Sequence, residues 1–303
     1  MDLRQLRYFL AVADAGHITR AAEQLGLQQP PLSQQIKALE SRLGVTLFER
    51  HAKGVALTEA GRLLQGEARQ LVAQADALQR RMAQVAAGLQ GPLKLGFTSS
   101  AAAHAFLPRV LRECRQQYPG IQLELAEFNA AELTEQVLAS KLHCGFLRVP
   151  VAAPAGLVFE TLFDEPVLLV LPSDHPLVPA DGGAVPLAAL RDEGFILVRR
   201  PGAPGLYAEW LALCRRAGFE PRVVAEVPRM LTNLNLVAAG AGITIVPASM
   251  RGVHAHALAY CELAKAEALR APMTLVSRQA DPVGPAATFI ALVREVNAAL
   301  TRA

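Results

Sequence analysis

The chain has 303 residues, about twice the length of an average domain, and is 52% apolar and 19% charged, so it has material for more than one buried core. That balance excludes a disordered or collagen-like chain, and no stretch approaches the roughly 20 apolar residues that a membrane-spanning helix needs. The net charge of +3 lies wholly in the first third: residues 1–91 carry 11 lysines and arginines against 8 acids, and residues 92–303 carry 19 of each.

An excess of cations confined to one segment points to a polyanionic partner only if that segment also has a nucleic-acid-binding shape. It does. Leu3, Leu6, Leu10 and Ala13, with Phe9 beside them, predict an amphipathic helix closed by Gly16. A short second helix follows, with Thr19 as its expected cap, Ala21, Ala22 and Leu25 inward, and Gly26 as terminator. A third begins near Pro30 and Pro31, since proline is tolerated in a first turn, and carries Leu32, Ile36, Leu39 and Leu43 to Gly44. Three short helices with a tight glycine turn form a helix-turn-helix pattern.

Once the apolar stripe of the third helix is buried, Gln29, Ser33, Gln34, Lys37 and Ser41 remain on its other face. An ordinary solvated face would carry more Glu and Lys; this one is rich in amides and hydroxyls, which can hydrogen-bond base edges in a major groove. Two β-prone runs around Leu47–Arg50 and Val55–Thr58 then flank His51-Ala52-Lys53-Gly54, a hairpin wing with Arg50 and Lys53 placed for phosphates. The candidate DNA-binding set is Thr19, Gln28, Gln29, Pro30, Pro31, Ser33, Gln34, Lys37, Arg50 and Lys53.

From Leu64 the apolar positions fall at Leu64, Ala68, Leu71, Ala75, Leu78, Met82, Val85 and Leu89, an unbroken 4-3 spacing. A 3.5-residue period predicts a narrow helical seam against a second helix, whereas a helix packed in its own domain usually shows a broader stripe. The seam therefore reads as a dimerisation helix over 59–89, which also serves recognition, since two reading helices on one duplex read an inverted repeat.

Gly91-Pro92 ends that helix. Strand-like runs at Leu93–Thr98, Ile121–Phe128, Leu142–Arg148, Val167–Pro172, Phe195–Val198, Val223–Val227, Ile243–Val246 and Met273–Ser277 alternate with helical patterns at about 103–118, 130–141, 205–217, 230–239 and 285–302. Such alternation predicts open parallel sheets, and over 200 residues they should split into two α/β lobes. Ligands of these sheets bind beyond the carboxyl ends of strands. That rule selects Thr98, Ser99 and Ser100 after the first strand, Asn129 after the second, Arg148 after the third, and Ala203, Pro204, Gly205 and Leu206 before a later helix. Helix capping by Ser99 and Asn129, and an ion pair at Arg148, are the plainer alternatives.

The run from Ala21-Ala22 through Gln29-Pro30, Ser33-Gln34-Gln35-Ile36, Leu39 to Arg50 and Leu57 to Gly61 resembles the N-terminal signature of LysR-type transcriptional regulators. Pro31-Leu32-Ser33 further resembles the branch controlling catabolism of aromatic compounds, while Gln34 stands where many relatives carry Arg. The resemblance implies an α/β protein with an N-terminal winged helix-turn-helix over 1–58, a long linker helix over 59–89, and a two-lobed effector domain over 90–303, similar to periplasmic binding proteins. Lobe one would be 90–161 plus 268–303 and lobe two 162–267. It further implies double-stranded DNA, RNA polymerase and a small organic-acid inducer, aromatic or muconate-like, as partners, and a homodimer or homotetramer. The inducer would lie between the lobes, with Ser99, Asn129 and Pro204–Leu206 as contacts, and no cofactor is expected.

Other functions have less support. No nucleophile elbow, H-E-x-x-H, P-loop or dinucleotide fingerprint is present, which counts against an enzyme on a two-lobed scaffold. The absence of a basic-then-apolar leader counts against a secreted solute-binding protein. Cys114, Cys144, Cys214 and Cys261 form no C-x-x-C pair, which predicts reduced thiols and a cytoplasmic, non-membrane location. Cys144 lies near the expected cleft but reads as a small buried residue, and His254 and His256 read as a loop pair rather than a metal site.

Overall fold

A computed structural model describes residues 1–302 apart from Lys53, 149–153, 199–204, 265–267 and Asp281. The chain divides into two compact units, Met1–Gln84 and Val85–Ala303.

The first unit opens with α1 (Leu3–Ala15), α2 (Ile18–Gln24) and α3 (Gln29–Leu43). Asp2 starts α1 by accepting the Gln5 N–H at 2.8 Å, and Gly16 ends it in the left-handed region at φ 64°. The buried face of α1 is Leu6, Phe9 and Val12, with Leu3 exposed, because Phe9 and not Leu10 centres the stripe. The cap of α2 is His17, whose Nδ1 accepts the Thr19 N–H at 3.3 Å; Thr19, the expected cap, is the second residue of the helix. In α3 the prolines occupy the first turn and Leu32, Ile36 and Leu39 are buried, while Leu43 is exposed.

The wing is β1 (Phe48–His51) paired antiparallel with β2 (Gly54–Leu57). It is seated on the end of α1: the Val55 N–H donates to the Gly16 carbonyl at 2.9 Å. Gly54 packs so closely there, at φ +138°, that a Cβ would stand 2.3 Å from the Gly16 oxygen. Thr58 then caps α4 (Glu59–Ala86), accepting the Gly61 N–H at 2.9 Å. The 28 residues of α4 span roughly 42 Å.

In the second unit β3 (Gly91–Phe97), α5 (Ser99–Ala102), α6 (Phe106–Gln117), β4 (Ile121–Glu127), α7 (Ala130–Leu138) and β5 (Cys144–Leu147) lead into a 16-residue strand, β6 (Leu157–Pro172). Then come β7 (Gly194–Val198), α8 (Gly205–Arg216), β8 (Arg222–Val227), α9 (Met230–Ala238), β9 (Thr244–Pro247), β10 (Leu258–Cys261), β11 (Arg270–Arg278) and α10 (Pro285–Arg302). Among the described residues the expected parallel pairing forms ladders between β3 and both β4 and β5, and between β7 and β8, with isolated parallel bridges at Phe195–Ile243 and Val185–Leu263. The rest of the seven-stranded sheet is antiparallel: β11 pairs with β5 and β6, and β9 and β10 flank the far half of β6.

Strands β6 and β11 run through both lobes. Leu162 and Met273 belong to a core with Leu93, Phe106, Phe146, Phe289 and Val293. Val167 and Ala271 belong to a second core with Leu169, Phe195, Tyr207 and Trp210. The burial pattern of β6 changes between them, from mostly exposed or half-buried before Pro166 to continuously buried over Val167–Leu171, as expected where a sheet covered on one face becomes one covered on both. Pro166, which has no N–H to donate, stands where β6 parts from β11.

Candidate functional site

The first candidate surface lies on α3 and the wing. Gln29, Pro30, Pro31, Gln34 and Lys37 are exposed on α3, Ser33 is half-buried, Gln28 is exposed at the helix start, and Thr19 is exposed on α2. Arg50 is exposed on β1; Lys53 lies outside the described residues. The apolar knobs beneath are deeply set, Leu32 and Leu39 at 0% exposure. Glu40, which the sequence reading passed over, ties helix to wing: its Oε1 accepts the Leu47 and Phe48 N–H groups at 2.8 and 3.2 Å. A glutamate late in an amphipathic helix, just before a hairpin, was the signal that went unused.

The seam on α4 is only partly free. Ala68 is fully buried in the core of its own unit, with Leu64 half-buried beside it. Arg7 and Arg69 pair with Asp76 and Asp14, holding α4 against α1. Ala75 is half-buried, and Leu89 lies past the end of the helix. The large apolar side chains left exposed along α4 are Leu63 at 73%, Leu71 at 44%, Leu78 at 52%, Met82 at 57% and Val85 at 45%.

The second candidate site lies between the lobes, at the carboxyl ends of β3 and β5. Arg148 directly follows β5 and is 4% exposed. Its Nε and Nη2 donate to the Ser100 carbonyl at 3.2 and 3.0 Å, and its Nη2 also donates to Ser249 Oγ at 3.0 Å. It forms an ion pair with Glu165 of β6, itself buried. Glu165 in turn accepts the Ser249 backbone N–H at 2.6 Å and its hydroxyl at 2.9 Å. One cluster thus joins the first lobe, the crossing strand and the turn after β9. Burial holds the Arg148 pKa below the usual arginine value, opposed by Glu165. The Arg148 Nη1 atom is buried without a hydrogen-bond partner among the described residues.

The neighbouring residues are mostly committed to local structure. Thr98, not Ser99, caps α5: its Oγ1 accepts the Ala101 N–H at 3.3 Å and lies 3.3 Å from Ser100 Oγ. Ser99 is half-buried. Asn129 closes a capping box with Glu132, accepting its N–H at 2.9 Å. Leu206 sits inside the core of the second lobe, Gly205 opens α8, and Ala203 and Pro204 lie outside the described residues. Two further groups were not read from the sequence. His104 lies against the Phe163 ring at 4.8 Å, close enough to Arg148 and Glu165 for both to act on its pKa. Arg229, at the start of α9, faces Glu127, at the end of β4, at 3.6 Å, a second link between the lobes.

Cys144 is fully buried and its thiol is pushed up to about 12, so it is not a reactive thiolate. His254 bonds Asn235 at 2.5 Å, and no metal-ligating group forms among the described residues. Among those residues no helix is long and apolar enough to cross a membrane.

A winged helix-turn-helix followed by a two-lobed α/β unit with a polar cluster between its lobes defines the class of DNA-binding regulators with an attached effector domain. The model for the bacterial regulatory helix-turn-helix protein, lysR family, matches residues 3–62, and that for the LysR substrate binding domain matches 86–298. The transcriptional regulator AlsR of Bacillus subtilis is 38% identical over 83% of this chain and 82% of its own length. Among solved structures, CbnR, a LysR family transcriptional regulator, superposes with a TM-score of 0.83 at 32% identity, over 97% of this chain and 100% of that one. Full-length CbnR complexed with its target DNA gives 0.79 at 30% identity, over 98% and 100%. The chain belongs to the LysR family: it is a DNA-binding transcriptional regulator with an effector-binding domain, not an enzyme.

Proposed function

We propose that this regulator responds to a small organic acid, aromatic or muconate-like, bound between its two lobes in the cytoplasm. The observation that carries the reading is the Nη1 of Arg148, a charged donor enclosed in the polar cluster between the lobes and without a partner among the described residues. A buried N–H without a partner is costly, and a ligand carboxylate would relieve that cost. The Ser100 carbonyl adjoins this guanidinium, and in this reading the ligand would also meet Thr98, Ser99 and Asn129, with residues 203–206 as the further contacts that the family resemblance implies. In this reading Thr19, Gln28, Gln29, Pro30, Pro31, Ser33, Gln34, Lys37, Arg50 and Lys53 contact the operator, two chains pair along the exposed residues of α4, and two such dimers form a tetramer. Ligand shifts the balance between two arrangements of the multimer on DNA, and so its contact with RNA polymerase, only by its differential affinity for the two. Isothermal calorimetry against benzoate-like and muconate-like acids tests the ligand: binding that Arg148→Met abolishes supports it, and no heat from any acid overturns it.

A further inference from the structure

We propose that Gln5 is a positioning residue for DNA recognition: its buried carboxamide reaches from α1 to Gln35 of α3 and fixes the roll of the recognition helix about its own axis. Gln5 is 6% exposed, in a core otherwise built from Leu6, Phe9, Ile36 and their neighbours. Its Nε2 donates to Gln35 Oε1 at 3.3 Å, while its own Oε1 is buried with no partner among the described residues. As a stabilising device this is a poor choice, because a leucine of similar size would fill the site and leave no orphaned acceptor.

The remaining seats of α3 show what the amide adds. Leu32, Ile36 and Leu39 hold the helix by apolar contact, which is not directional and tolerates a small roll. Glu40 supplies directional bonds, to the Leu47 and Phe48 N–H groups, but at the far end of the helix. Gln35 lies near the middle of α3, five residues before Glu40, and bonds a different neighbour, so the two directional contacts together limit roll more than Glu40 alone. The Gln5–Gln35 bond is a second pin, beside the exposed Gln34 and the half-buried Ser33. Amide-to-base hydrogen bonds weaken steeply as their angles open, so a small roll of α3 costs discrimination between sequences more than overall affinity.

The test uses the full-length protein carrying Q5L, Q35A or both. A duplex selected by the wild type from a random pool competes against random-sequence duplex, and urea unfolding is followed in parallel. Q5L is expected to unfold at the wild-type midpoint or above it, yet to lose about fivefold or more in discrimination, the worth of one hydrogen bond. Q35A, a change on the surface, should show the same loss at unchanged stability, and the double variant should lose no more than either single one. Wild-type discrimination in Q5L or in Q35A overturns the proposal. So does a destabilised or unfolded Q5L, which makes the amide a structural element, and so do losses that multiply in the double variant, which make Gln35 an independent DNA contact.

Discussion

Arg148 and Glu165 form an ion pair in which both side chains are more than nine-tenths buried, one placed by the end of β5 and the other by the strand that crosses between the lobes. Taking two charges out of water costs several kcal/mol per ion, and the attraction repays it only when further hydrogen bonds complete the geometry, as Ser249 and the Ser100 carbonyl do here. Removing one partner leaves the other charged and buried. Arg148→Met and Glu165→Met should each cost about 3–5 kcal/mol in unfolding free energy, and the double substitution should recover most of that loss. Equilibrium urea unfolding of the three variants checks it, and strictly additive losses would contradict it.

Along α4, residues enclosed by its own unit alternate with large apolar residues that are exposed. Ala68 is enclosed, so Ala68→Leu should overpack the first unit and destabilise it by about 1–3 kcal/mol. Leu71, Leu78 and Met82 are exposed, so Leu78→Glu combined with Met82→Glu should leave unfolding nearly unchanged while moving sedimentation toward the monomer. Unchanged sedimentation at micromolar concentration would remove α4 from the subunit interface.

Much of this architecture was legible because local signals agreed. Gly16 and Gly44 end their helices in the left-handed region where the sequence places its stops, and the apolar spacing of α3 identifies both its buried and its free faces. The crossing strand was missed over Leu157–Pro166, since its mixed polar and apolar residues face one lobe only and Pro166 reads as a breaker. Strand β10 is four residues long and gives little periodic signal. Of the cleft, Arg148 was visible as a cation ending an apolar strand. Its partners Glu165 and Ser249 lie 17 and 101 residues further along and meet it only through the return of the chain between lobes. Glu165 alone carried a hint, an acid just ahead of the long apolar run Val167–Leu171.

The surface of α3 makes a prediction that separates affinity from specificity. Lys37 is exposed and cationic; if it meets a phosphate, Lys37→Ala should weaken binding to all duplexes alike and lower the salt slope of log K by about one. Gln29, an exposed amide, should behave differently: Gln29→Ala should relax preference at one position, at about 1–3 kcal/mol, with the salt slope unchanged. Titrations of both variants at several salt concentrations distinguish the two effects, and unchanged binding in both would displace α3 from the groove.

His104 and His143 give the second unit an acid-sensitive stability. Each is half-buried and uses Nδ1 as an acceptor, His104 from the Phe106 N–H at 3.0 Å and His143 from the Lys94 N–H at 2.8 Å. Burial lowers both pKa values below the ordinary 6.5; Arg148 adds to this at His104, against Glu165, and Arg278 and Lys94 add to it at His143, against Glu124. The folded state thus prefers the neutral rings, and the unfolded chain takes up protons first as pH falls. Their stabilisation is complete above about pH 6.5 and is lost as pH drops through the lowered folded values. Thermal unfolding of the wild type should therefore hold level from pH 8 to 7 and decline below about 6.5. Asparagine keeps an acceptor near the Nδ1 position and does not titrate, so His104→Asn with His143→Asn should flatten the decline between about pH 6.5 and 5, before carboxylates begin to protonate. A decline of equal steepness in the double variant would assign the acid sensitivity to other groups.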